Sequence, residues 1–304
     1  MPDETGARRR PVLVVGRGLI GSVTAARLAA GGRDVATVSR GGTPGRWHLP
    51  CDLAASTGRR RLRELVYELR PDCAVLTHGP SDVTWIDRHE SEAEAAHRGV
   101  AELMAESGVP TILVSTDTVY DGEEGLRRPS DPICPRNAQG RVKATAERAL
   151  LATDHGLVLR VAPVYGWTRS RQRRTYAQHC LESAMRAAWI WAPVDQAFTP
   201  VYVGDVARVL AALCDRPHLP AGLAHLGGPE ELSRHEFAAL AYRVAGAASS
   251  LVRPCLRPAG TPAYFSLASG DADPLHGLDD WRPMTPEQGL RTMVQIGPRR
   301  EVLV

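Results

Sequence analysis

The sequence predicts an α/β fold, a doubly wound parallel sheet carrying a smaller C-terminal lobe. Three observations lead there. Short apolar runs alternate with segments of helical periodicity through the first half of the chain, and short loops join them. A glycine-rich turn lies between the first apolar run and the first helical segment. Beyond Gly166 the alternation loosens and prolines become frequent. Strands alternating with helices imply right-handed crossovers and a sheet covered on both faces.

The elements follow in order. Residues 11–15 are an apolar run ending at Gly16, as in a fully buried strand. Residues 20–30 place apolar side chains at helical spacing and stop at Gly31-Gly32. Residues 34–39 read as a strand, 61–70 as a helix and 72–77 as a strand. Residues 91–107 form an alanine-rich helix closed by Gly108, and 111–115 the next strand. A helix over 143–155 ends at Gly156, before a strand at 157–161. Residues 1–165 are therefore assigned to the sheet domain and 166–304 to the lobe, with 198–215 expected to return to the sheet.

Composition narrows the function. With 43% hydrophobic and 23% charged residues the chain is too apolar for disorder, and a net charge of +3 does not call for nucleic acid or an anionic membrane. The arginine clusters at 8–10 and 59–63 read as solvated faces. No apolar run reaches the roughly 20 residues that span a bilayer. The six cysteines include no C-x-x-C pair and suit reduced thiols, so a cytoplasmic location without a metal is expected.

Gly16-Arg17-Gly18-Leu19-Ile20-Gly21 is a G-x-G-x-x-G between strand and helix, the dinucleotide-binding turn of a Rossmann sheet. The first glycine permits the turn, the second lets backbone approach a pyrophosphate, and the third lets helix and strand pack closely. The amides at the helix start, around Leu19 and Ile20, then hold the anion. At the end of the second strand an acid would bind a ribose 2′-hydroxyl, whereas arginine accommodates a 2′-phosphate. Here Ser39-Arg40 stands there, with Arg17 in the turn, so NADP is favoured and NAD is the alternative.

The segment Val114-Ser115-Thr116-Asp117-Thr118-Val119-Tyr120-Asp121-Gly122 resembles the S-T-D-x-V-F/Y-D-G motif of dTDP-4-dehydrorhamnose reductases, which are extended short-chain dehydrogenases/reductases. Cys51-Asp52-Leu53, Pro71-Asp72, Arg160 with Val164-Tyr165-Gly166, and the run from Thr199 to Ala207 agree with it, so the similarity spans about residues 11–294. The resemblance implies that Asp52 and Leu53 join the cofactor site, that Thr116 polarises a carbonyl, and that Lys143 binds the nicotinamide ribose. The family's P-x-N-x-Y-G-x-x-K reads here Pro135-Arg136-Asn137-Ala138-Gln139-Gly140-Arg141-Val142-Lys143, with Gln139 in place of the tyrosine. That tyrosine gives the alkoxide its proton, and glutamine cannot.

Free drift of the site is disfavoured by composition. The chain's sole lysine and sole asparagine, Lys143 and Asn137, both fall on motif positions. Asp117, Tyr120 and His78, at the strand ends, are candidate replacement donors, with Tyr165 and Tyr176 behind them. The resemblance also implies a nucleotide-linked deoxysugar ketone as substrate. Arg169, Arg171, Arg173 and Arg174 are placed to grip its diphosphate or else to line a solvated loop. Three readings stay open. They are an NADP-dependent reductase or dehydrogenase of a specialised biosynthetic route with a displaced proton donor, a redox-neutral epimerase, dehydratase or cyclase, and a non-catalytic cofactor-binding subunit. A homodimer is expected only by analogy of fold.

Overall fold

A computed structural model describes residues 9–79, 83–168, 174–268, 275 and 282–298. The first half runs β1 (Val12–Val15), α1 (Leu19–Ala30), β2 (Val35–Ser39), β3 (His48–Pro50), α2 (Ser56–Leu69), β4 (Cys73–Leu76), α3 (Val83–Arg88), α4 (Glu90–Ser107), β5 (Thr111–Thr116), α5 (Ala138–Leu151) and β6 (Gly156–Val161). The second half adds β7 (Val164–Tyr165), α6 (Tyr176–Met185), β8 (Ile190–Pro193), β9 (Ala197–Phe198), β10 (Val201–Tyr202) and α7 (Val203–Cys214). It continues through β11 (Gly222–Leu226), β12 (Leu232–Ser233), α8 (Arg234–Val244), β13 (Val252–Cys255), β14 (Tyr264–Phe265) and α9 (Pro286–Ile296).

Seven strands form one parallel sheet in the order β11-β6-β5-β4-β1-β2-β3. Side chains alternate across it, as a period of two demands. Val12 and Val14 join Val75, Ile112 and Leu159 on one face, beneath Leu28 of α1 and Val206, Val209, Leu210 and Leu213 of α7. Leu13 and Val15 join Leu76, Leu113 and Val158 on the other, against Leu62 and Val66 of α2, Val100 and Met104 of α4, and Leu150 of α5. Burial on both faces explains why β1 and β4 read as continuous apolar runs.

The order reverses between β1 and β4, and a crevice opens beyond their carboxyl ends. There Thr77 N donates to Val15 O at 2.8 Å and Gly16 N donates to Val38 O at 2.7 Å.

Several boundaries differ from the sequence reading: α2 begins at Ser56 instead of 61, and α5 ends at Leu151 instead of 155. α5 begins at Ala138, five residues before Lys143, because Asn137 caps it and its side-chain oxygen accepts from Gly140 N at 2.8 Å. Beyond α7, which lies against α1, the chain supplies β11 as an edge strand. The run after a proline-rich turn is five residues long and interrupted by His225, so its pattern was too brief to read as a strand.

The remaining elements surround a second apolar cluster that includes Leu181, Phe198, Phe237, Tyr242, Leu290 and Met293. α8 and α9 each start with a full capping box, Ser233 with Glu236 and Thr285 with Gln288. α6 and α8 start side by side, where the Tyr176 hydroxyl donates to Arg234 O at 3.0 Å.

Candidate active site

The glycine turn has the shape a pyrophosphate requires. Gly16 sits at φ +111°, a region costly for side-chain-bearing residues, and a Cβ there would lie 2.6 Å from His78 N. A Cβ on Gly21 would overlap Gly16 O and Thr77 Oγ1, so the helix can approach the strand only without one. Gly18 is different, because a Cβ there would meet nothing within 4 Å. Gly18 also caps α1 with no side-chain hydrogen bond and no acid in the first turn, which leaves the helix start open to an anion. Leu19 and Ile20 supply that first turn. These residues fit a dinucleotide.

At the end of β2 the Ser39 hydroxyl donates to Gly41 O at 2.7 Å, and Arg40 is exposed. A Cβ on Gly42 would come within 3.6 Å of the Arg17 guanidinium, so Arg17 leans across toward the same strand end. Asp52 accepts from Ala54 N at 3.1 Å, while Leu53 is buried in the core below.

Thr116 closes β5. Its hydroxyl donates to Asp117 Oδ1 at 2.9 Å and accepts from Thr118 N at 3.2 Å. Asp117 is buried, and its Oδ2 has no hydrogen-bond partner among the described residues. Burial pushes this carboxyl up to about 6, against the Thr116 hydrogen bond and the nearby Arg234 charge, which pull it down.

In the first turn of α5, Gln139 is half-buried and makes no hydrogen bond with a described residue. Four residues on, Lys143 Nζ donates to Val114 O at 3.0 Å, which leaves its other two N–H groups for a ligand. Burial lowers Lys143 to about 8, and Glu147, one further turn along, offsets part of this.

Glu147 belongs to a buried network. It receives Arg160 NH2 at 2.7 Å and the Ser115 hydroxyl, while Arg160 NH1 donates to Tyr120 OH at 2.6 Å. Tyr120 OH in turn lies 2.9 Å from Arg128 O and 3.0 Å from His225 Nε2. The second ring nitrogen of His225 faces Arg127 O at 2.9 Å and must carry the proton to bond a carbonyl. Burial drops this histidine to about 4, so it stays neutral. The network braces β5, β6, α5 and β11 behind Lys143.

Two expected donors are therefore corrected. The Tyr120 hydroxyl is held among Arg160, His225 and Arg128 O instead of facing the cleft. His78 does not titrate near neutrality, because burial and the Lys143 charge hold it down at about 3. Its ring bonds Ala96 O at 3.3 Å and stacks on His97, and it is the His78 backbone that meets the glycine turn. Of the four loop arginines, Arg169, Arg171 and Arg173 lie outside the described residues, and Arg174 pairs with Glu182 at 2.9 Å.

The sequence reading missed Arg234, whose guanidinium lies 4.1 Å over Phe198 and 4.8 Å over Tyr176. The available signal was an arginine in the first turn of a capped helix, where a cation is disfavoured.

This fold, glycine turn and Thr–Lys arrangement define an extended short-chain dehydrogenase/reductase. The family model described as the RmlD substrate binding domain matches residues 10–285, and the chain belongs to that family. A Streptomyces antibioticus protein, named as a "probable dTDP-4,6-dihydroxy-2-methyloxan-3-one 4-ketoreductase", is 29% identical over 87% of this chain and 85% of its own. The dTDP-4-dehydrorhamnose reductase of Mycobacterium tuberculosis is 29% identical over 87% of this chain and 86% of its own. Among solved structures, the Bacillus anthracis dTDP-4-dehydrorhamnose reductase in complex with NADP superposes with a TM-score of 0.78 and 19% identity, covering 96% of this chain and 99% of that one.

Proposed function

We propose that this protein reduces a ketone on a nucleotide-linked deoxysugar with NADPH, and that Asp117 takes the place of the tyrosine as proton donor. The supporting observation is the Thr116–Asp117 pair at the carboxyl end of β5, the strand whose Val114 O accepts from Lys143. Reduced nicotinamide, when bound, supplies the hydride. Lys143 holds the ribose hydroxyls with the donors it does not give to Val114 O. Thr116 polarises the substrate carbonyl. Asp117, near 6 and hydrogen-bonded to Thr116, hands its proton through the threonine hydroxyl to the alkoxide. Arg17 leans toward the end of β2, where Arg40 is exposed and no acid stands, which favours the 2′-phosphate and hence NADP.

The test combines tryptophan-quenching titrations with NADPH and NADH and a turnover assay on dTDP-4-dehydrorhamnose. Tighter NADPH binding, with one NADPH oxidised per ketone lost, is expected. Conversion without net cofactor change would move the protein to the redox-neutral class. Cofactor binding without turnover would leave a binding subunit.

A further inference from the structure

Arg234 is the first residue of α8, and its guanidinium is buried among the faces of Tyr176, Phe198 and Phe265. It makes no ion pair or side-chain hydrogen bond with any described residue. A guanidinium packed on aromatic faces with no carboxylate bonded to it keeps its N–H donors available to an anion. α6 and α8 begin here together, and both helix starts carry partial positive charge.

Nearby in the chain, Glu231 accepts from the Ser266 hydroxyl. Glu236 closes the capping box on Ser233 N, and Glu182 pairs with Arg174. Cys180, pushed up to about 12 by burial, stays a neutral thiol. Asp117 is close enough to feel the guanidinium, but its one hydrogen-bonded oxygen faces Thr116. Arg234 therefore stands near Asp117 at the carboxyl end of β5, where this fold binds ligands, as a cation to which no described carboxylate is hydrogen-bonded.

We infer that Arg234 is the diphosphate-recognising residue of the substrate cleft. This rests on the nucleotide-sugar reading above and names the group that the reading left without a partner. The rings pack 4.1–5.8 Å from the guanidinium carbon, and none of its N–H groups is hydrogen-bonded to a described residue, which leaves the fork available for two phosphate oxygens at once. Ordinary solvated arginines gain nothing from such a cage, whereas a phosphate receptor gains a fixed orientation before the ligand arrives.

The test is calorimetric titration of full-length protein, loaded with NADPH, with dTDP, UDP and thymidine. Wild type is compared with Arg234→Met, which keeps the packed stem, and with Arg234→Lys, which keeps the charge but loses the fork. Nucleoside diphosphate affinity is expected to fall about 10- to 100-fold in Arg234→Met, the range for lost charge-assisted hydrogen bonds. The lysine variant is expected to fall between, with thymidine and NADPH binding unchanged. Equal diphosphate affinity in wild type and Arg234→Met would overturn the inference while leaving the nucleotide-sugar reading intact. A wild type that binds no nucleoside diphosphate would overturn both. A variant that also loses NADPH binding or native circular dichroism is replaced by Arg234→Gln, which is judged by the same diphosphate affinity.

Discussion

The Thr116 hydroxyl donates to Asp117 Oδ1 across 2.9 Å, and a threonine has only that one proton to give. With Asp117 ionised, the hydroxyl is turned away from any substrate carbonyl. With Asp117 protonated, the direction can reverse, so that the carboxyl donates to the threonine and the threonine donates to the substrate. The pair is thus a two-member relay whose sense is set by one buried proton. The chain needs such a relay if Gln139 stands where a tyrosine would act.

Asp117→Asn is expected to lower kcat about 10²- to 10⁴-fold, the usual cost of losing a general acid. Wild-type reduction should also slow as pH rises through about 6, because the donor must be protonated. The asparagine variant should show no inflection there. Steady-state pH profiles of kcat check both outcomes, and an unchanged inflection would assign the proton to another group.

Lys143→Met is expected to abolish productive NADPH binding and yet raise thermal stability near neutrality. The folded lysine titrates at about 8 against an ordinary 10.5, so the folded state disfavours its charge. By linkage, wild-type stability rises with pH between about 8 and 10.5, as the proton that the unfolded chain still holds is absent from the fold. At pH 7 the methionine removes that penalty. Melting curves at pH 7 and pH 10 should show the variant ahead at the lower pH and its lead shrinking at the higher.

Much of this was legible in the sequence because the sheet is buried on both faces. Apolar runs such as Val12–Val15 and the glycines around Arg17 are local signals with one structural meaning. Lys143 and Thr116 were legible as motif positions. What stayed hidden depends on partners far apart in the chain. Whether Tyr120 faces the cleft is decided by Arg160 and His225, 40 and 105 residues away. His78 looked titratable until burial against Ala96 and His97 set its charge. Arg234 carries no motif at all, and only the aromatic rings around it, drawn from three other elements, single it out.

Gly18→Ala and Gly21→Ala should separate binding from folding within one turn. A Cβ on Gly18 meets nothing within 4 Å, so the fold should keep its melting temperature while NADPH affinity falls by about tenfold or more, as the methyl enters the pyrophosphate's space. A Cβ on Gly21 overlaps Gly16 O, which is backbone and cannot swing aside. That variant should lose stability, by about 1–3 kcal/mol as overpacked sites do, as well as affinity. Thermal melts beside fluorescence titrations distinguish the two patterns, and a Gly18 variant that binds NADPH normally would place the cofactor elsewhere.

Gln139→Tyr tests the relay from the other side. Position 139 lies in the first turn of α5, four residues before Lys143, so a phenol there shares a helix face with the ammonium. A cation that close lowers a phenol's pKa and makes it a competent acid near neutrality. In Asp117→Asn, where the carboxyl donor is gone, adding the tyrosine should recover at least about tenfold of the lost rate, within the range of general acid catalysis. The pH at which the rate falls should move above the wild-type value of about 6, because the donor is now a phenol. Measuring kcat against pH for the single and double variants decides it. A double variant as slow as Asp117→Asn alone would mean that residue 139 does not face the reacting carbonyl, and that the loss of tyrosine here is a change of site geometry, not of proton donor.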